Sequence, residues 1–101
     1  MLVSMTTVRG EEVLEEPARM AAETMRSWLT EFDGYCGLLV LVDEKGGTAR
    51  FFTFWADTGA EERSRPGRAR MREQMASTAG VELEGNEVYS VAFVDELEFT
   101  S

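Results

Sequence analysis

The amino-acid sequence predicts an α+β fold, a four-stranded antiparallel sheet with two helices on one of its faces. Three features predict it. Apolar side chains recur at three- and four-residue intervals from Ala18 to Phe32, the spacing of one helix face. Two apolar runs, Cys36 to Val42 and Thr48 to Ala56, flank the polar loop Asp43-Glu44-Lys45-Gly46-Gly47, the pattern of a β-hairpin. A second helical spacing, Met71, Met75 and Ala79, ends at Gly80 and is followed by a last strand, Val88 to Val94.

Leu2 to Val8 is short, partly β-branched and rich in hydroxyls, and Arg9-Gly10 closes it as a first strand. An acidic stretch, Glu11 to Glu16, leads to Pro17, which inside a helix begun at Glu11 would delete a hydrogen bond and clash with the carbonyl of Val13. Pro17 therefore belongs in the first turn of a new helix, whose stripe of Ala18, Ala21, Met25, Trp28, Leu29 and Phe32 ends at Asp33-Gly34. After the hairpin, Thr58 with Glu61 three residues on fits an N-terminal capping box. Ser64-Arg65-Pro66-Gly67 then predicts an interruption, so the second helix is expected in two pieces. The order βαββαβ is the ferredoxin-like, split βαβ arrangement, whose right-handed crossovers put both helices on the same sheet face.

Composition bounds the chemistry. A chain of 101 residues suits one domain, spanning 1–101. Its hydrophobic fraction of 44% is enough for a core, and no run approaches the roughly 20 apolar residues of a membrane span. A formal net charge of −9 disfavours nucleic acid and anionic membranes as partners. With no His and one Cys, His-ligated metal or haem, Ser-His-Asp and Cys-His catalysis, and intramolecular disulfides are all excluded. No metal site and no cofactor is expected. The lone thiol and the absence of a signal-like start make the cytoplasm the expected address.

The uncovered sheet face is the informative one. By the period of two, Phe51 and Trp55 point one way and Phe52 and Phe54 the other, while Leu38, Val40 and Val42 oppose Leu39 and Leu41. Two helices cannot bury both sides. The second apolar face is therefore expected to meet another copy of the chain, forming a homodimer, or to enclose an apolar ligand.

The chain resembles the antibiotic-biosynthesis-monooxygenase-like group of the dimeric α/β-barrel superfamily. The resemblance spans roughly Pro17 to Val94 and is carried by Phe32-Asp33-Gly34-Tyr35-Cys36-Gly37, the aromatic strand ending in Phe54-Trp55, the acidic helix start after it, and Tyr89-Ser90-Val91. It implies a ferredoxin-like protomer, a barrel formed by two sheets across a dimer, and a cavity between each sheet and its helices. Members include enzymes that oxidise electron-rich aromatics without a prosthetic group, haem-degrading enzymes and proteins of no assigned activity. The haem-degrading relatives hold iron through a helix His, which this chain lacks. The implied function is that of a cofactor-independent monooxygenase-like protein with an apolar cavity for a small aromatic or lipophilic molecule. The alternative is a non-catalytic ligand-binding or stress-associated dimer. Trp55 matches the group's pattern by residue type, Tyr35 and Tyr89 match loosely, and Asn86 is included by proximity; with Phe51 these are the candidate cavity residues. No catalytic residue is assigned.

Other residues favour structural roles. Trp55 also suits a packing anchor whose indole N–H is used internally. Arg50 shares parity with Phe52 and Phe54, so it is expected on the face opposite Trp55. Cys36 has no positive neighbour in sequence and suits a small packed residue. Met20, Met25, Met71 and Met75 suit a core or the lining of an adaptable cavity. Arg63, Arg65, Arg68, Arg70 and Arg72 crowd ten residues of an acidic chain. They are expected to pair with acidic residues such as those between Glu82 and Glu98 rather than with nucleic acid.

Overall fold

In the computed structural model, which describes residues 1–10, 13–79 and 82–95, the element order is the expected βαββαβ. The strands are β1 (Leu2–Arg9), β2 (Tyr35–Asp43), β3 (Thr48–Trp55) and β4 (Glu82–Ser90), and the helices α1 (Glu15–Leu29) and α2 (Thr58–Ala79). The four strands form one sheet in the order β2-β3-β1-β4, antiparallel throughout. This is the ferredoxin-like architecture, and it leaves β2 and β4 at the edges.

Register decides which residues share a face. Leu38, Val40 and Val42 of β2 stand opposite Thr53, Phe51 and Ala49 of β3, on the face that also carries Ser4, Thr6 and Val8 of β1 and that the helices cover. Trp55, Leu29, Phe51, Met25, Met71 and Ala60 form its core. The other face carries Leu39 opposite Phe52, Leu41 opposite Arg50, and Val3 between Phe54 and Tyr89. Arg50 and Trp55 thus lie on opposite faces. Leu41 and Tyr89 are each about half exposed, at 52% and 51%.

Three local outcomes differ from expectation. Helix α2 runs unbroken through Pro66. The proline leaves the Glu62 carbonyl without its amide donor, a loss the long helix tolerates; in the same turn the Glu61 carbonyl accepts additional bonds from Ser64 Oγ at 2.7 Å and from Arg68 Nη2 at 3.1 Å. Second, the cap of α2 is Asp57, one residue earlier than Thr58, its Oδ1 accepting the Ala60 amide at 2.8 Å. Third, β4 lies at Glu82–Ser90, earlier than the predicted Val88 to Val94. An irregularity opposite Thr6, between the Met5↔Glu87 and Thr7↔Glu84 pairs, lets Gly85 at φ +77° absorb an extra residue, so a polar, bulged segment joins the edge. Gly80, the expected end of the second helix, lies outside the described residues, as do Glu11 and Glu12.

Glycine is required at the turn into β2. Gly34 has φ +84°, and a Cβ there would collide with that of Ala60. Its carbonyl accepts the Ala56 amide at 2.8 Å, tying the start of β2 to the end of β3 beside Trp55.

Candidate cavity and buried ion cluster

Between the sheet and the helices lies an apolar cavity of about 210 Å³. Its floor is Thr6 and Val8 of β1 with Ala49 and Phe51 of β3, and its walls come from Val13, Leu14, Pro17, Ala18 and Met25 on one side and from Arg72 and Met75 of α2 on the other. Ala18 and Ala21 of α1 are too short to fill the space between that helix and the sheet. The volume is below the roughly 300 Å³ of typical drug-sized sites and far above the roughly 10–15 Å³ that one water needs. A single ring or a short chain fits.

At its inner side the cavity meets a smaller niche of about 30 Å³, mostly apolar in its lining, where Met25, Leu29, Phe51, Met71 and Met75 surround the polar side chains of Ser4, Thr6, Thr53, Arg68 and Arg72. Thr6, Phe51 and Arg72 line both compartments. Beneath the niche is a buried ion cluster. The Glu61 side chain, 1% exposed, accepts from Arg65 Nε at 2.9 Å and from Arg68 Nη2 at 2.5 Å, and also pairs with Arg65 Nη2. Arg68, 11% exposed, donates through Nε to Ser64 Oγ at 2.8 Å, and its guanidinium lies 5.1 Å from the Trp55 ring centre, within cation–π range. The Arg65 hydrogen bonds, with the charge of Arg68, hold the Glu61 carboxyl below its ordinary value against the opposing effect of burial. Burial pulls Arg68 below the usual arginine value; Glu61 opposes the shift and the neighbouring Arg72 and Arg65 add to it.

The expected site residues divide. Phe51 lines the cavity. Trp55 is fully buried at the end of β3, edge-on to Phe32 and Tyr35 at 6.1 and 6.2 Å, and its indole N–H donates to Ser4 Oγ at 3.1 Å. It reaches the niche only through Ser4 and Arg68. Tyr35 packs on Trp55 but lines a different space, a groove between α1 and β2 where Cys36 is also exposed; partial burial raises its phenol above the usual value. Tyr89 stands on the opposite sheet face beside Val3. Asn86 is in β4, and its side chain lies outside the described residues. Of the methionines, Met25 and Met75 line the cavity, Met71 joins them at the niche, and Met20 is 62% exposed on the far side of α1.

Glu61, Ser64, Arg68 and Ser4 were not expected at the site. The signal in the sequence was the spacing of Glu61, Ser64, Arg65 and Arg68, which puts them on one helix face. Arg65 and Arg68 therefore find their carboxylate within α2 rather than in the C-terminal acidic stretch, of which Glu96 and Glu98 lie outside the described residues. Arg9 meets that stretch instead, at Glu84, 2.7 Å away on the open face. Among the described residues there is no group of His, Cys, Asp and Glu placed to hold a metal ion and no helix long and apolar enough to cross a membrane.

No protein-family model and no curated protein sequence matches the chain. Solved structures do match it. A candidate antibiotic biosynthesis monooxygenase from Deinococcus radiodurans superposes with a TM-score of 0.65 at 18% identity, covering 98% of this chain and 100% of that one. The cofactor-independent oxygenase SnoaB from Streptomyces nogalater gives 0.63 at 14% identity over 92% and 95% of the two chains. A monooxygenase of Streptomyces coelicolor, solved with nanaomycin D bound, gives 0.58 at 12% identity over 94% and 92%. At these identities the likeness establishes the fold, which is the one the sequence resemblance implied.

Proposed function

We propose that the chain is a cofactor-independent monooxygenase of this fold whose cavity between sheet and helices takes a small aromatic or lipophilic molecule. The observation that carries the reading is the cavity itself, an apolar chamber that narrows to hydroxyls and guanidinium groups beside Trp55. The monooxygenases of the same fold support it. The chemistry such a site suits is oxygenation in which the substrate supplies the electrons. An acidic ring methylene becomes a carbonyl, one atom of O₂ entering the ring and the other leaving as water with the two methylene hydrogens. In that step the guanidinium groups stabilise the substrate anion, and the apolar walls keep bulk water away.

The open sheet face, with Leu39, Leu41, Phe52 and Phe54, supports a homodimer closed through that face, and the cytoplasm is the compartment that a lone exposed thiol suits. A second reading has its own support. Among the described residues, the polar groups lining the chamber and niche are hydroxyls and arginines, a set suited to holding a ligand, so a binding protein without turnover also fits. Oxygen uptake by metal-stripped protein with a panel of single-ring quinols under air separates the two. Uptake above background supports the oxygenase. Binding without uptake supports the carrier, and neither binding nor uptake overturns the cavity as a ligand site.

A further inference from the structure

We propose that the ligand of this cavity is an amphiphilic carboxylate, its apolar body in the larger chamber and its carboxylate in the niche against Arg72. The inference rests on reading the cavity as a ligand site and adds the charge and head-group size of what enters it.

The chain carries a formal net charge of −9, yet the groups at the inner end of its apolar cavity are positive. Arg65 and Arg68 share the one carboxylate of Glu61. Arg72, one helical turn beyond Arg68, forms no ion pair with any described residue, although it is half-buried and lines both compartments. Arg65 is half exposed and meets water and Arg68 is held by Glu61, so the charge left to the cavity is that of Arg72. The effect is felt at Arg68, whose usual value is lowered by burial and also by Arg72 and Arg65. A cation held against apolar walls without a partner is costly, and an anion in the niche relieves it.

The niche also limits the head group. Its volume of about 30 Å³ admits roughly two water-sized atoms, as many as the oxygens of a carboxylate, and is tight for a sulfonate or a phosphate. The hydroxyls of Ser4, Thr6 and Thr53 line the same space, so a carboxylate there meets donors from β1 and β3 as well as the planar fork of Arg72. The remaining chamber is apolar and holds either a ring or a short alkyl chain.

Calorimetric titration of the full chain with two matched pairs tests this: octanoate against 1-octanol, and phenylacetate against 2-phenylethanol. The alkyl and aryl pairs distinguish the two sources of such a body. The carboxylate is expected to bind about tenfold or more tightly than its neutral partner in at least one pair, with the ratio falling as salt is raised. R72Q is expected to bring that ratio close to one. R70Q makes the same charge change on the exposed side of α2, away from the cavity, and is expected to leave the ratio intact. A ratio near one in the unaltered protein, or equal effects of R72Q and R70Q, overturns the inference while leaving the cavity reading in place. If neither member of either pair binds, both fall.

Discussion

Replacing Glu61 by Gln keeps the size and most of the shape of the side chain and removes its charge. The carboxylate is 1% exposed and Arg68 is 11% exposed, so the substitution leaves a buried guanidinium without its counter-ion, a change that costs about 3–5 kcal/mol. Arg68 keeps Ser64 Oγ, the Glu61 carbonyl and the Trp55 ring. That places the expected loss at the lower end, about 3 kcal/mol, or a fall in Tm of about 12–24 °C for a domain of this size. Arg65→Gln should behave differently. Arg65 contributes most to lowering the Glu61 carboxyl, but its own side chain is 52% exposed and already meets water in the folded state, so its loss should cost only about 0–1 kcal/mol. Urea unfolding followed by fluorescence in a Trp28→Phe background, at one protein concentration, isolates Trp55 as the reporter beside Arg68. If Glu61→Gln and Arg65→Gln destabilise equally, or if Glu61→Gln stays within about 1 kcal/mol of the parent, the burial argument for the cluster fails.

Acid should find the same cluster. The folded carboxyl of Glu61 lies below its ordinary value, so its stabilisation is complete above the unfolded value of about 4.3 and is lost as pH falls through the lower folded one; unfolding midpoints measured from neutral to acid pH should drop steeply below about pH 4, with a shallower acid slope in Glu61→Gln. Trp55→Phe keeps most of the buried area and leaves Ser4 Oγ without its donor, so it should lower stability by about 1–2 kcal/mol with ligand affinity unchanged. Lost binding at an unaltered Tm would assign the ring a direct role. Leu39→Glu places a charge in the middle of the open face beside Phe52 and should convert a dimer to monomers or unfold it; a parent protein whose light-scattering mass at micromolar concentration is 11.3 kDa refutes the dimer.

The parts of the fold that could be read in advance are those where one period dominates. In β3 the alternation of Phe51, Thr53 and Trp55 against Phe52 and Phe54 separates the faces, because side chains of a strand alternate between only two faces. In α1 the stripe's Ala18, Met25 and Leu29 are buried, although the helix stops at Leu29, short of the expected Asp33-Gly34. Strand β4 offered no such contrast. Its residues Glu82, Glu84 and Glu87 face the open side, and Gly85 shifts the parity at the bulge, so only its last residues, Val88 to Ser90, fall within the expected span. The break expected at Pro66 follows from a local rule that counts the missing amide, but α2 runs for 22 residues with the Glu62 carbonyl the one left without its helical donor there.

The ion cluster was hidden by a displacement of one residue. With Thr58 as the cap, Glu61 is the third residue of the helix and its carboxylate turns back to the backbone. With Asp57 as the cap, Glu61 moves one place further into the helix, and each place is a rotation of roughly 100° about the axis. In the structure Glu61 is buried on the side of α2 that carries Arg68 over the Trp55 ring. Helix geometry then lines up Ser64, Arg68, Met71, Arg72 and Met75 further along the same side, a mixed row of polar and apolar side chains. Such a row has almost no apolar contrast with the other side of α2, so periodicity could find the helix only from its later turns. The mixture that obscured the packing face is also what carries charge to the end of an otherwise apolar cavity.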